Sequence, residues 1–390
     1  MAKNPDFRLL AVDSLDDIES AVELIHANRG LDIGVFATAL DKRRGTLRDA
    51  AFLQLLFTWA RLAPEANLHL LSNGHAEVDA ILQEACGYSI GIGAISLASG
   101  IVVNSERISR GLALQPATDR MEAAYIGDYS VLMKGRTLDL LSVSGAKRQY
   151  VRPLFANPKS SIVRAKISLK STITAMAAKI IPNPSSSLDE ELTSALATLM
   201  HELVENMQEH ATKDVHEKAY RRHAELFTAS WMSFFGEEER NDLAANEDLK
   251  RYWSRLAAAQ PGERKVAGIC FSFLDSGPGM AARLRKTELF NLTPEDEKLA
   301  LRECLRLRVS SKKENGTGGG LQEVLEETSK HHGFVRIRSG RQAIYRCFAP
   351  GDEVGELCEG FRDWFDGKAD LYRVAGTLVS VFIPMPRIEK

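Results

Sequence analysis

Residues 268–274, GICFSFL, form an apolar run that ends without transition in Asp275-Ser276-Gly277-Pro278-Gly279. An uncharged, aromatic-rich run of this length, closed by turn residues, predicts a central strand. Gly277 and Gly279 on either side of a proline demand a tight turn and let another group approach the backbone closely. The pattern therefore places one carboxylate, Asp275, at a strand end beside an open backbone. Such a carboxylate can accept a hydrogen bond from an exocyclic amine such as adenine N6. Taken alone, the same residues also describe an ordinary turn.

Two further motifs have matching chemistry. In residues 199–211, LMHELVENMQEHA, Glu202 and Asn206 are four apart and share one face of a predicted helix over about 188–210. Leu192, Leu196, Leu199, Leu203 and Met207 form an apolar stripe beside them, so the pair sits at the edge of a core. The helix follows the break PNPSSS (182–187), with Ser187 and Glu190 at capping-box spacing. The amide oxygen of Asn206 is a hard ligand suited to Mg2+. Glu202 can orient or deprotonate a water. A solvated helix face would carry the same two residues.

The third motif is ENGTGGGLQEVLEET, residues 314–328. Gly316, Thr317, Gly318, Gly319 and Gly320 precede a helix predicted from about Leu321. Free N–H groups at a helix start form an anion site, and glycines leave room for phosphates. No Gly-Lys-Ser/Thr follows, so this is not a Walker A loop. Lys312 and Lys313, just upstream, are candidates for γ-phosphate contact, and solvated loop lysines account for them equally well.

In this order (helix, strand-turn, glycine loop) the three motifs resemble the GHKL or Bergerat-fold ATPases, with a histidine-kinase-like ATPase domain. Residues 316–340 resemble the lid, helix and strand of the kinase members, and residues 376–384 resemble the fold's last strand. The resemblance covers about residues 185–386. It implies ATP and Mg2+ as cofactors and a two-layer α/β sandwich: a mixed sheet with helices on one face. It further implies Glu202 as the catalytic residue and Asn206 as the magnesium ligand. Asp275 would read adenine, with Gly277 and Gly279 shaping the pocket floor and Thr377 on the adenine side. Gly316, Gly318 and Gly320 would be lid glycines, with Thr317, Gly319 and Leu321 in the same segment.

The remaining sequence sets the domain plan. A chain of 390 residues predicts two domains. Residues 1–125 alternate strand and helix patterns, which predicts a smaller α/β domain. Residues 126–184 read as a basic, strand-rich connection. Between 134 and 170 it holds nine Lys or Arg against Asp139 alone, a surface open to nucleic acid or an acidic partner, though a solvated sheet face explains it as well. Residues 185–390 form the ATP-binding domain, with inserts at about 212–264, read as helical, and at 341–375. The uncharged stretch 86–103 is rich in Gly, Ser and Ala with acidic flanks, which predicts a buried segment and no membrane span. No secretory pattern opens the chain, and five scattered cysteines fit reduced thiols, so a cytoplasmic location is expected.

These readings predict a Mg-dependent ATP hydrolase that acts as a nucleotide-driven switch on another protein or within a homodimer. The kinase-like lid leaves open a serine/threonine or histidine protein kinase of the anti-sigma-factor type. A non-catalytic ATP-gated module in a regulatory or defence system is the third reading. Little sequence follows the last strand, which argues against gyrase-type strand passage.

Overall fold

The computed structural model describes residues 4–10, 12–74, 76–182, 188–210, 212–235, 246–259, 265–306, 320–353, 355–365 and 371–385. It is a mixed α/β protein with two sheets. The first is built from β1 (Phe7–Leu9), β2 (Ile33–Phe36), β3 (Asn67–Leu71), β4 (Gly100–Val103) and β5 (Glu106–Ile108), in that order. β1 to β4 are parallel and β5 returns antiparallel. Between these strands run α1 (Leu15–Ala27), α2 (Ala37–Asp41), α3 (Arg48–Leu62), α4 (Val78–Ala85) and α5 (Ser89–Leu97). Neighbouring parallel strands joined by right-handed crossovers place their helices on one face. Leu9, Ile33, Val35, Leu68, Leu70, Ile101 and Val103 line the face that joins this core.

The second sheet has seven strands in the order β11-β10-β9-β12-β8-β7-β6. Its strands are β6 (Thr137–Val143), β7 (Ala224–Phe235), β8 (Lys265–Asp275), β9 (Phe334–Gly340), β10 (Gln342–Cys347), β11 (Arg362–Asp363) and β12 (Val374–Pro384). Every neighbouring pair is antiparallel, where the resemblance implies a mixed sheet. Short helices α6 (Arg110–Ala113), α7 (Thr118–Ile126) and α8 (Tyr129–Leu132) lead into β6. α9 (Lys166–Ile180), α10 (Glu190–His210) and, later, α14 (Gly320–Lys330) pack on one face. α11 (Glu247–Ala258) packs on the other, while α12 (Met280–Arg285) and α13 (Pro294–Arg306) pair beside the sheet.

Alternation along β8 shows both faces buried. Phe271 and Phe273 join the core under α9, α10 and α14, while Cys270 and Leu274 join the core shared with the first sheet. The expected sandwich has helices on one face only; here α3 covers the second face, packing on β8 and β12. The physical reason lies in α3 itself, where every residue from Asp49 to Trp59 is buried. A helix apolar all round needs partners on all sides. Polar groups fix the contact: Gln54 donates to the Arg338 and Ala375 carbonyls at 3.1 and 3.2 Å, and Arg338 pairs with Glu19 of α1 at 2.8 Å. The chain thus stacks sheet, helices, sheet, helices.

Three local expectations change. Residues 166–170, read as strand, begin α9, which packs along α10. The segment read as a helical insert contains β7, a strand that pairs along the whole of β8. β6, placed in a connecting region by its basic surroundings, is the edge strand beside β7. The buried reading of 86–103 agrees with the structure: all of α5 and β4 is buried. Among the described residues no single helix is long and apolar enough to cross a membrane; α4 and α5 together are, but they bend by 109°.

Candidate functional site

The long helix forms as its apolar stripe predicts. Leu192, Leu196, Leu199, Leu203 and Met207 are all buried under the seven-stranded sheet. Ser187, the expected cap, lies outside the described residues. Asp189 takes that role, accepting the Leu192 N–H at 2.7 Å. Glu202 and Asn206 are half-buried at the edge of the stripe.

Glu202 is held from a neighbouring helix. Lys166, the first residue of α9, places Nζ 2.8 Å from Glu202 Oε1 and 2.7 Å from Glu323 Oε2. Glu323 lies in the first turn of α14, three residues after Gly320. One lysine therefore ties the middle of α10 to the helix start that follows the glycine loop. Burial pushes the Glu202 carboxyl up, but His201 and Lys166 outweigh it and hold Glu202 below the usual glutamate range. His201 Nδ1 lies 3.4 Å from Glu202 Oε1, and Glu205 joins this group.

Asp275 ends β8 and is buried. The Gly277 N–H donates to its Oδ1 at 2.7 Å, and the Thr377 N–H donates as well. Burial is the stronger influence and pushes Asp275 up to about 6. β12 crosses closely here: Gly376 has φ +67, and a Cβ on it would collide with the Asp275 carbonyl. Thr377 Oγ1 lies 3.1 Å from Ser339 Oγ, which accepts the Met280 N–H at 2.9 Å. Gly279, with φ +88, is the cap residue immediately before α12. Asp275, Gly277, Gly279 and Thr377 are therefore brought together.

The link from Asp275 to α10 runs through β7. Glu225 is the cross-strand partner of Asp275. Its Oε2 accepts from Gln208 Nε2, two residues beyond Asn206 on α10. Gln208 is six residues from Glu202, about 9 Å along a helix axis. One helix thus touches the α14 start through Glu202 and the Asp275 pair through Gln208. Gly320 and Leu321 begin α14, while Lys312, Lys313, Gly316, Thr317, Gly318 and Gly319 lie outside the described residues. Two cavities, of about 210 and 360 Å³, lie elsewhere, on the open face of the first sheet and between α11 and β10.

Several residues at this place were not singled out in the sequence. Lys166 was hidden in a basic tract read as strand. Glu225 was hidden in a region read as a helical insert; its signal is a lone acid in an alternating apolar run, ELFTASW. Arg61 comes from α3: Nε and Nη2 donate to the Ser276 carbonyl at 2.9 and 2.7 Å, and its guanidinium stacks 3.7 Å over Tyr220. Helix α3 thus grips the turn that follows Asp275.

No protein-family model matches this chain, and no curated protein or solved structure matches it.

Proposed function

We propose that the chain binds ATP with Mg2+ between α10, the Asp275 turn and the start of α14, and hydrolyses it as a conformational switch of Bergerat type. The observation that carries this reading is the Lys166 bridge, which joins Glu202 to the first turn of α14. It brings the residue expected to act on water beside the helix start expected to bind phosphate. The Gln208–Glu225 hydrogen bond supports the other end of the site, because it connects the same helix to the partner of Asp275.

The residues fit the cofactors by donor type. Asn206 is half-buried and presents a neutral amide with no hydrogen bond to another described residue. Its oxygen would hold Mg2+, which supplies charge neutralisation at the phosphates when bound. Asp275 would accept from the adenine amine, and Gly320 would start the helix whose dipole faces phosphate. Glu202 stays ionised at neutral pH and would orient the attacking water. Lys166 couples any movement of the α14 start to Glu202, which gives the switch a physical link.

Purified protein tests this with ATP binding and phosphate release, each with and without Mg2+. Glu202→Ala is expected to keep ATP affinity within a few-fold and to lose turnover by ~10²–10⁴. Wild-type turnover by that variant would end the assigned role of Glu202. Failure of the wild-type protein to bind ATP would end the whole reading. Labelled phosphate transferred to a protein, rather than released, would redirect it to a kinase.

A further inference from the structure

Beside Asp275 lies a group of buried polar atoms that the motif residues do not use. Glu225 is 2% exposed and shares its face of the sheet with Asp275, as register partners do. Cross-strand partners hold their Cβ atoms ~4.5–5.5 Å apart. Glu225 Oε2 accepts from Gln208, but Oε1 has no hydrogen-bond partner among the described residues. Gln208 Oε1 and His223 Nδ1 are also buried without partners. Buried polar atoms are nearly always satisfied, so several unmet ones beside one carboxyl mark a place where another group belongs.

Resting on the nucleotide reading above, we propose that Glu225 is a second reader of the nucleobase, contacting a ring nitrogen next to the amine that Asp275 accepts from. Two adjacent buried carboxyls cannot both ionise cheaply, so one keeps its proton. The charge belongs on Asp275, which receives the N–H groups of Gly277 and Thr377 and feels the Arg61 cation. Among the described residues Glu225 is hydrogen-bonded by the Gln208 amide, with His223 Nε2 3.8 Å from its Oε1, and burial pushes it up to about 8, so it remains a donor at neutral pH. His223 is held neutral, down to about 4, by burial and then by Arg61, so it supplies no counter-charge. An acceptor beside a donor matches the amine and adjacent ring nitrogen of adenine. Guanine presents an oxygen acceptor where Asp275 needs a donor, so it is rejected.

The test uses the full chain and four nucleotides: ATP, GTP, 1-deaza-ATP and 7-deaza-ATP. Wild type should bind ATP at least ~30-fold tighter than GTP, and one deaza analogue at least ~10-fold more weakly than ATP. Glu225→Gln keeps a donor and should preserve both ratios. Glu225→Leu should weaken ATP and erase the deaza difference. If Glu225→Leu does not fold, the wild-type analogue series still decides. Equal binding of ATP and both deaza analogues overturns this inference alone. Absence of any nucleotide binding overturns the ATP reading and this inference with it.

Discussion

On its buried face the five-stranded sheet carries apolar side chains, from Phe7 and Leu9 on β1 to Val103 on β4. The face of the seven-stranded sheet under α10 adds Glu225 and Asp275 to its phenylalanines. Charges are buried elsewhere too: among the described residues Asp49 of α3 is held by the Arg44 N–H and the Tyr88 hydroxyl without an ion pair, while others are matched. Arg338 pairs with Glu19, and Asp139 pairs with Arg120 at 2.7 Å. Among the described residues no lysine or arginine forms an ion pair with Glu225 or Asp275. A buried acid without an ion pair costs stability that its hydrogen bonds offset only in part. The Arg338–Glu19 pair therefore joins α1 to the seven-stranded sheet, whereas Glu225 and Asp275 form two adjacent buried acids at the proposed nucleotide site.

The largest effect should come from unmatching a matched pair. The Arg338 side chain is 2% exposed, so Glu19→Ala leaves a guanidinium buried without its carboxylate. The expected loss is about 3–5 kcal/mol in urea unfolding. Because α3 belongs to the core of both sheets, unfolding should stay a single transition. A separate early transition of the first sheet would show that the layers fold independently, and would break the comparison drawn above.

The unmatched pair predicts an effect of opposite sign. The Glu225 carboxyl moves from an ordinary 4.5 to about 8 on folding. A raised acid binds its proton more tightly in the native state. Its contribution is therefore complete below pH 4.5 and is lost as pH rises through about 8. Glu225→Gln removes that titration. Its gain over wild type should be near zero at low pH and reach at least about 2 kcal/mol at about pH 8.5. Asp275 titrates similarly up to about 6 in both proteins and so leaves the difference unchanged. Chemical denaturation at both pH values checks this, and a gain independent of pH would mean Glu225 is not buried as a neutral acid.

Much of this was legible before the structure, for definite reasons. The stripe on α10, the run into Asp275 and the glycine-to-helix step at Gly320 each carry a local period or a turn signal, and each formed where expected. β7 was not legible: polar residues between Ala224 and Phe235 alternate with apolar ones, but charged flanks made the region read as helix. α9 was missed for a related reason, since its lysines and β-branched residues mimic a strand pattern. The second covered face could not be read locally at all, because it depends on which sheet α3 meets. The basic tract 134–170 shows the same limit. Lys134, Arg148, Lys166 and Lys170 pair with Asp41, Glu122, Glu202 and Glu190, carboxylates distant in sequence.

The smallest expected effect asks whether local stability at the start of α1 reaches the second sheet. Ser14 and Asp17 form a capping box on α1: Ser14 Oγ accepts the Asp17 N–H at 3.0 Å, and Asp17 Oδ2 accepts the Ser14 N–H at 2.9 Å. Ser14→Ala should cost about 1 kcal/mol. Glu19, which holds Arg338, lies five residues along the same helix. Between them Leu15 and Ile18 are buried in the shared core, so packing rather than the cap should keep this turn in place. The costs of Ser14→Ala and Glu19→Ala should then add in the double variant to within about 0.5 kcal/mol. A larger coupling would mean that fraying at Ser14 already releases Glu19. The matched pair would then depend on the local structure of α1, and the two sheets would differ less in what holds their charges than the static contacts indicate.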